Sequence, residues 1–210
     1  MKHKGKFIAF EGIDGSGKST QVKRLVQRLK AEGYKVYETF EPTDSPIGSL
    51  IRNIMKGRLQ ATDETIAGLF VADRLDHIQN EVNGLRKKIA EGYIVICDRY
   101  CFSSYAYQGI HVPLDWVIQA NSLATTMLRP DVHVFLDVTP EVSLDRIRAG
   151  RSHVELYETS DILIKVRNKY LEAFELLGDK ENIAILDGTK ELEVVSEDIW
   201  DLVLGVIESE

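Results

Sequence analysis

Short apolar runs alternate with helical stripes along the chain. Five runs read as strands, at 6–11, 35–39, 93–97, 132–137 and 183–186. Runs such as Phe7-Ile8-Ala9-Phe10 and Tyr93-Ile94-Val95-Ile96-Cys97 are almost continuously apolar, the mark of a strand buried on both faces. Between the runs, apolar residues return at helical spacing. Val22, Leu25, Val26 and Leu29 form one stripe, and 47–55 reads as a second helix. A long helical stretch spans 63 to 91, where Ile66, Phe70 and Arg74 fall four apart and share a face. The closing helix sets Leu192, Val195, Ile199, Leu202 and Val206 on one side. Strands alternating with helices require crossover connections, so the fold class is α/β: a five-stranded parallel sheet with helices on both faces. Ligands of such sheets gather beyond the carboxyl ends of the strands. That rule selects 11–18, the segment after Thr39, Asp98-Arg99 and the region after Asp137.

The first of these segments carries chemistry. Gly12-Ile13-Asp14-Gly15-Ser16-Gly17-Lys18-Ser19-Thr20 fits G-x-x-x-x-G-K-[ST], follows a strand and opens a helix, the context the motif needs. Glycines let the backbone curl its N–H groups toward phosphate oxygens, and the helix N-terminus adds positive charge there. Gly12, Asp14, Gly15, Ser16, Gly17, Lys18, Ser19 and Thr20 are therefore the candidate nucleoside triphosphate site of a P-loop NTPase-type fold. Lys18 would reach the β/γ-phosphates, and the Ser19 hydroxyl would bind Mg²⁺. Asp98, at the end of the third run, is the matching hard ligand for Mg²⁺ or its waters; taken alone, it reads equally as a helix cap. The stretch after it, Arg99-Tyr100-Cys101-Phe102-Ser103-Ser104-Tyr105-Ala106-Tyr107-Gln108, mixes polar and aromatic groups as a small-molecule pocket does.

Composition narrows the picture. At 210 residues with 44% hydrophobic and 28% charged positions, the chain suits one globular domain over 1–210. A formal net charge of −7 argues against nucleic-acid binding, so basic residues act locally. Lys2, Lys4 and Lys6 precede no signal-peptide core, and no apolar stretch approaches membrane-spanning length. Cys97 and Cys101 suggest neither zinc nor a disulfide framework. A cytoplasmic protein without a membrane partner is expected.

Three of these segments resemble a known family. The loop opened by Phe10-Glu11-Gly12, with Asp14-Gly15 inside it, is similar to the phosphate loop of thymidylate kinases. Asp98-Arg99-Tyr100…Ser103…Ala106-Tyr107-Gln108 resembles that family's second signature, and Leu136-Asp137-Val138-Thr139-Pro140-Glu141 looks like the strand leading to its lid. The resemblance runs over about 7–170. It implies transfer of the ATP γ-phosphoryl to thymidine 5′-monophosphate with Mg²⁺, by a homodimer. It implies that Arg99 holds the acceptor phosphate, Asp98 works near the Mg²⁺, and Asp14 reaches the sugar 3′-hydroxyl. Tyr107 would lie against the sugar, Ser104 and Gln108 would line the pocket, and Phe70 and Arg74 would take the base. From the residues alone, Phe70 in the core and Arg74 in a salt bridge fit as well.

The family's R-E-P after the second strand reads Phe40-Glu41-Pro42 here; an arginine is missing, and Arg52 is the candidate substitute. The loop's variable positions carry no basic residue. The charge over the transferring phosphoryl must then come from elsewhere, which resembles the family's lid-arginine subtype. The cluster Arg146, Arg148, Arg151 and His153, in a lid segment around 146–158, offers it. Arg148 and Arg151 are the expected catalytic donors and Arg146 the structural pair, a solvated basic helix end being the alternative. Two other functions stay open: a kinase of this architecture for another nucleotide or small metabolite, and a nucleotide-hydrolysing switch.

Overall fold

The computed structural model describes residues 4–150 and 159–209. The strands are β1 Lys6–Glu11, β2 Val36–Phe40, β3 Ile94–Asp98, β4 Val132–Asp137 and β5 Ile183–Asp187. They form one all-parallel sheet in the order β2-β3-β1-β4-β5. The helices, in chain order, are α1 Lys18–Ala31, α2 Pro46–Met55, α3 Asp63–Gln79, α4 Leu85–Ala90 and α5 Cys101–Tyr107. They continue with α6 Leu114–Ala120, α7 Ser122–Met127, α8 Pro140–Gly150, α9 Ser160–Leu177 and α10 Leu192–Glu208. Among the described residues, no helix is long and apolar enough to cross a membrane.

The period-two side-chain alternation of β1 divides the core. Ile8 and Phe10 face a cluster with Val22, Leu25, Val26 and Leu29 of α1 and Val195, Ile199 and Val203 of α10. Phe7 and Ala9 face the other cluster, with Ile78 of α3, Phe102 of α5 and Val166, Tyr170 and Phe174 of α9. All four β1 side chains are fully buried, as a central strand covered on both faces requires. Helices on both faces of a parallel sheet are the architecture that the alternating pattern implies.

Three local expectations need correction. The stretch 63–91 is two helices, because Asn80 turns its side chain onto its own backbone. Its Oδ1 accepts the Val82 N–H at 2.9 Å, an alternative to the helical ladder. Gly84 then packs so tightly that a Cβ there would lie 2.4 Å from the Asn80 carbonyl oxygen. Second, β2 and β3 sit one residue further on than expected, which pairs Phe40 with Asp98 in register. Third, the buried stripe of α10 is rotated: Val195, Ile199, Trp200, Val203 and Ile207 are inside, whereas Leu192 is 41% exposed. Trp200 fixes the rotation by lying over α1, where the Arg28 guanidinium stacks 4.1 Å above its ring.

That rotation predicts a contrast in urea unfolding. Ile199→Ala should cost about 2–5 kcal/mol, and Leu192→Ala should stay within about 0.5 kcal/mol. Equal costs would contradict the packing of α10.

Candidate active site

The carboxyl ends of β1, β3 and β4 surround the loop that joins β1 to α1. Gly12 sits at φ 144°, and a Cβ there would lie 2.8 Å from the Leu136 carbonyl oxygen, so only glycine brings the loop this close to β4. Gly17 caps α1 at φ 94°, and its carbonyl accepts the Thr20 and Gln21 N–H groups. Helix α8 supports the loop from outside. Ser143 donates to the Asp14 carbonyl, and Arg146 donates to the Ser16 carbonyl at 3.2 Å and the Gly188 carbonyl at 2.9 Å.

Lys18 lies folded into the curl. Its Nζ donates to the Gly12 carbonyl at 2.9 Å and the Ile13 carbonyl at 3.0 Å, with Ser16 Oγ at 3.4 Å. Burial, aided by the Arg99 charge, pulls its pKa down to about 8. The Ser19 hydroxyl donates to Asp98 Oδ2 at 2.7 Å. The other oxygen of that carboxylate, Oδ1, is buried without a hydrogen-bond partner. An orphaned carboxylate oxygen beside a hydroxyl is a hard-oxygen pair, and it fits Mg²⁺.

Arg99 follows Asp98 and adopts φ 75°, a conformation rare outside glycine. Its N–H donates to the Phe10 carbonyl at 2.9 Å, so the turn is locked to β1 while the side chain swings over the loop. Nη1 donates to the Gly12 carbonyl at 3.2 Å and to Ser103 Oγ at 3.1 Å; Nη2 donates to Asp14 Oδ1 at 2.5 Å and Tyr107 Oη at 3.0 Å. Burial pushes the Asp14 carboxyl upward, but Arg99 and Lys18 outweigh it and hold the group below its usual pKa. Behind Arg99 lies fully buried Glu11, which accepts the Tyr100 N–H, Ser103 Oγ–H and Tyr170 Oη–H. Tyr170 was not among the sequence candidates, and Glu11 only opened a selected segment, with no role assigned to it. Glu11 stands at a strand end beside the loop, which was a usable signal; Tyr170, on α9, has no local one.

Two cavities flank this arginine. The first, of about 670 Å³, contains 14–21 together with Asp98, Arg99, Arg146, Gly188 and Lys190 in its wall. The second, of about 340 Å³, is lined by Phe70, Arg74, Ser104, Tyr107 and Gln108, together with Arg52 and Met55 of α2 and Lys56 just after it. Asp14 and Arg99 line both. Arg74 is 1% exposed and ion-paired to Glu41 at 2.6 Å, as the salt-bridge reading expects, and it is also part of the cavity wall. Burial opposes its charge, and Glu41 more than compensates. The neighbouring Asp73 holds the cavity's edge, accepting from the Thr43 N–H, Thr43 Oγ and Ser45 Oγ.

The basic cluster separates. Arg146, expected as the structural member of the set, ties the loop to Gly188 through its carbonyl bonds and also lines the first cavity. Arg148 is exposed on α8 and lines neither cavity. Arg151 and His153 lie outside the described residues. Phe40 is 43% exposed beside Asp98. Arg52 donates to the Pro42 carbonyl at 2.9 Å and pairs with Asp44 at 3.2 Å.

The depressed Lys18 pKa has a measurable consequence. Between pH 8 and 10.5 the unfolded chain holds a proton here that the folded one lacks. The burial penalty is therefore present in full below about pH 8 and disappears as pH rises through that window. A polyphosphate against Nζ would restore the charge. Calorimetry of ATP binding at pH 8.5, in buffers of different ionisation enthalpy, should show uptake of most of one proton, and at pH 6.5 none at this group. Binding without proton uptake at pH 8.5 would show that Lys18 either keeps its proton in the free site or does not meet the phosphates.

Comparison with known proteins agrees with this geometry. The family model described as "Thymidylate kinase" matches residues 10–199. The chain is 38% identical to the thymidylate kinase of Caldicellulosiruptor saccharolyticus over 98% of its own length and 97% of that protein's. It is 38% identical to a probable thymidylate kinase of Pyrococcus horikoshii over 95% and 96% of the two lengths. Against a probable thymidylate kinase of Methanococcus aeolicus the identity is 41%, over 92% and 93%. The chain belongs to the thymidylate kinase family.

Proposed function

We propose that the protein transfers the γ-phosphoryl group of ATP to thymidine 5′-monophosphate, giving ADP and thymidine diphosphate. The observation that carries this reading is the meeting of two cavities at Asp14 and Arg99, one built on a phosphate loop and the other on aromatic and amide side chains. A hydrolytic switch needs the first cavity only. Phosphoryl transfer between two nucleotides needs both, set so that the reacting oxygens meet out of water.

In this reading Gly12 to Thr20 cradle the donor phosphates, and Lys18 leaves its own loop carbonyls for the β/γ oxygens. Ser19 and Asp98 hold Mg²⁺, whose charge, when bound, would help neutralise the donor phosphates. Arg99 receives the acceptor phosphate; a guanidinium fork matches those oxygens in a way that lysine does not. Arg52 and Lys56 bring further positive charge to that cavity, where the family's arginine at position 40 is replaced by phenylalanine. Asp14 and Tyr107 meet the sugar, Phe70 lies against the base, and Arg74, Ser104 and Gln108 take its polar edge. Arg146 is the cation of α8 best placed over the transferring group; Arg148 and Arg151 remain candidates for the same role. A single kinase domain with its lid at 146–158, a homodimer and a cytoplasmic location complete the proposal.

A coupled assay of ADP release against a panel of acceptors tests it. Turnover should require an acceptor and be fastest with thymidylate; acceptor-independent hydrolysis, or turnover only with another acceptor, would replace this reading. Arg99→Ala should lower kcat/KM for every phosphorylated acceptor alike, by about 2–5 kcal/mol. Arg74→Lys keeps the charge opposite Glu41 but loses the fork, and should cost about 1–3 kcal/mol in discrimination among bases. Uniform weakening of all acceptors by Arg74→Lys would leave that residue a structural ion pair.

A further inference from the structure

Beneath the acceptor cavity lies a set of buried polar groups that the proposed transfer does not itself use. Glu41 follows β2, His77 stands one turn beyond Arg74 on α3, and Cys97 lies on β3, with exposures of 4%, 7% and 0%. Their ligand-type atoms all lie within 4.8 Å of one another, which gives the trio the composition of a metal site. Hydrogen bonds already account for it. His77 Nδ1 meets Glu41 Oε1 at 3.0 Å and Nε2 meets Thr39 Oγ1 at 2.8 Å, while the Cys97 thiol donates to the Arg99 carbonyl at 3.1 Å.

The other Glu41 oxygen explains what the imidazole is for. Oε2 accepts from Arg74 Nε at 2.8 Å and lies 2.6 Å from Nη2 in the ion pair. Nη2 also donates to the Tyr100 carbonyl at 3.1 Å, and Nη1 donates to Ser104 Oγ at 2.9 Å and to Asn121 Oδ1. Four of the five N–H groups of the guanidinium are thus hydrogen-bonded, both of those on Nη1 among them. A ligand can bond to Nη1 only by exchange with Ser104 or Asn121, and Ser104, like Glu41 on the other edge, lines the cavity. The opposite edge must stay fixed while this one exchanges.

We propose that His77 is a positioning residue for acceptor-base selection. By holding Glu41 Oε1 it keeps Glu41 Oε2 clamped on the Nε/Nη2 edge of Arg74, and leaves the Nη1 edge alone to exchange with a base. The physical basis is that a carboxylate without water turns freely about its last torsion unless both oxygens are bonded, and a buried oxygen without a partner seeks another. The inference rests on the proposed base-reading role of Arg74.

The test compares wild type, Arg74→Lys, His77→Leu, His77→Asn and Thr39→Val. For each, kcat and KM for thymidylate, the kcat/KM ratio of thymidylate to deoxycytidylate, the ATP KM and the melting temperature are measured. His77→Leu should cut the ratio at least tenfold through the acceptor KM, with kcat and the ATP KM within twofold of wild type. His77→Asn keeps an N–H close to the Nδ1 position and should restore most of the ratio. If His77→Leu fails to fold, Thr39→Val, which frees the far side of the imidazole, should still lower the ratio severalfold. An unchanged ratio in the folded variants overturns the proposal, as does a loss equal for all acceptors that asparagine does not repair. If Arg74→Lys also leaves the ratio unchanged, base reading by Arg74 has failed and this inference with it. If Arg74→Lys lowers the ratio and the His77 variants do not, the positioning role alone is wrong.

Discussion

The ion pair between Arg99 and Asp14 joins the end of β3 to the phosphate loop, and both cavities are built around it. It exists because β1 and β3 are neighbours with Phe10 opposite Asp98, which brings the residues after each strand to the same point. Arg99 reaches the loop only through its left-handed backbone, a conformation that costs about 1–3 kcal/mol and persists where the surroundings over-determine it. The surroundings here are specific. The Phe10 carbonyl holds the Arg99 N–H, Glu11 holds the next N–H, and Ser103 and Tyr170 bridge Glu11 to the guanidinium.

From that pair the division of labour follows. On one side the loop offers backbone N–H groups, Lys18 and the Ser19–Asp98 pair, chemistry that suits phosphates and a hard cation. On the other, Tyr107 and Phe70 supply flat apolar surface and Arg74 a polar edge, chemistry that suits the proposed nucleoside. A chain of net charge −7 concentrates Lys18, Arg52, Lys56, Arg74, Arg99 and Arg146 in these two cavities, which focuses its positive potential where two polyanions must approach each other. Arg74 differs from the rest, because Glu41 neutralises it and makes it a hydrogen-bonding template rather than a free charge.

What could be read from the sequence was what is local in it. The spacing of Gly12, Gly17, Lys18 and Ser19, the Asp98-Arg99 pair at a strand end, and Tyr107-Gln108 nine residues on are all short-range patterns, and the structure sets each of these residues at one of the two cavities or on the loop between them. The inner strands β1, β3 and β4 were legible because a central parallel strand must be apolar on both faces, whereas β2 and β5, at the sheet edges, are partly exposed and showed only as shorter apolar runs. The partners that hold the site in shape were not. Glu11 meets Tyr170, Glu41 meets His77 and Arg74 meets Asn121 across long stretches of chain, and no periodicity in one segment encodes a bond to another. The break at Asn80 was missed for a related reason. An asparagine inside a helical pattern is unremarkable until its side chain turns onto the backbone two residues ahead. The α10 stripe was misjudged because Trp200, not the leucines, sets which face meets α1, and that choice is made by the neighbouring helix.

The central claim is that donor and acceptor occupy adjoining cavities that share one arginine. Titration with adenosine and thymidine joined 5′ to 5′ through a chain of phosphates tests it most directly. The linked ligand turns the second binding event into an intramolecular one. It should bind one to one, displace both ATP and thymidylate, and exceed either in affinity by about 10²-fold or more. A linked ligand that binds no more tightly than ATP and leaves thymidylate in place would mean that the two cavities are not the two halves of one reaction site.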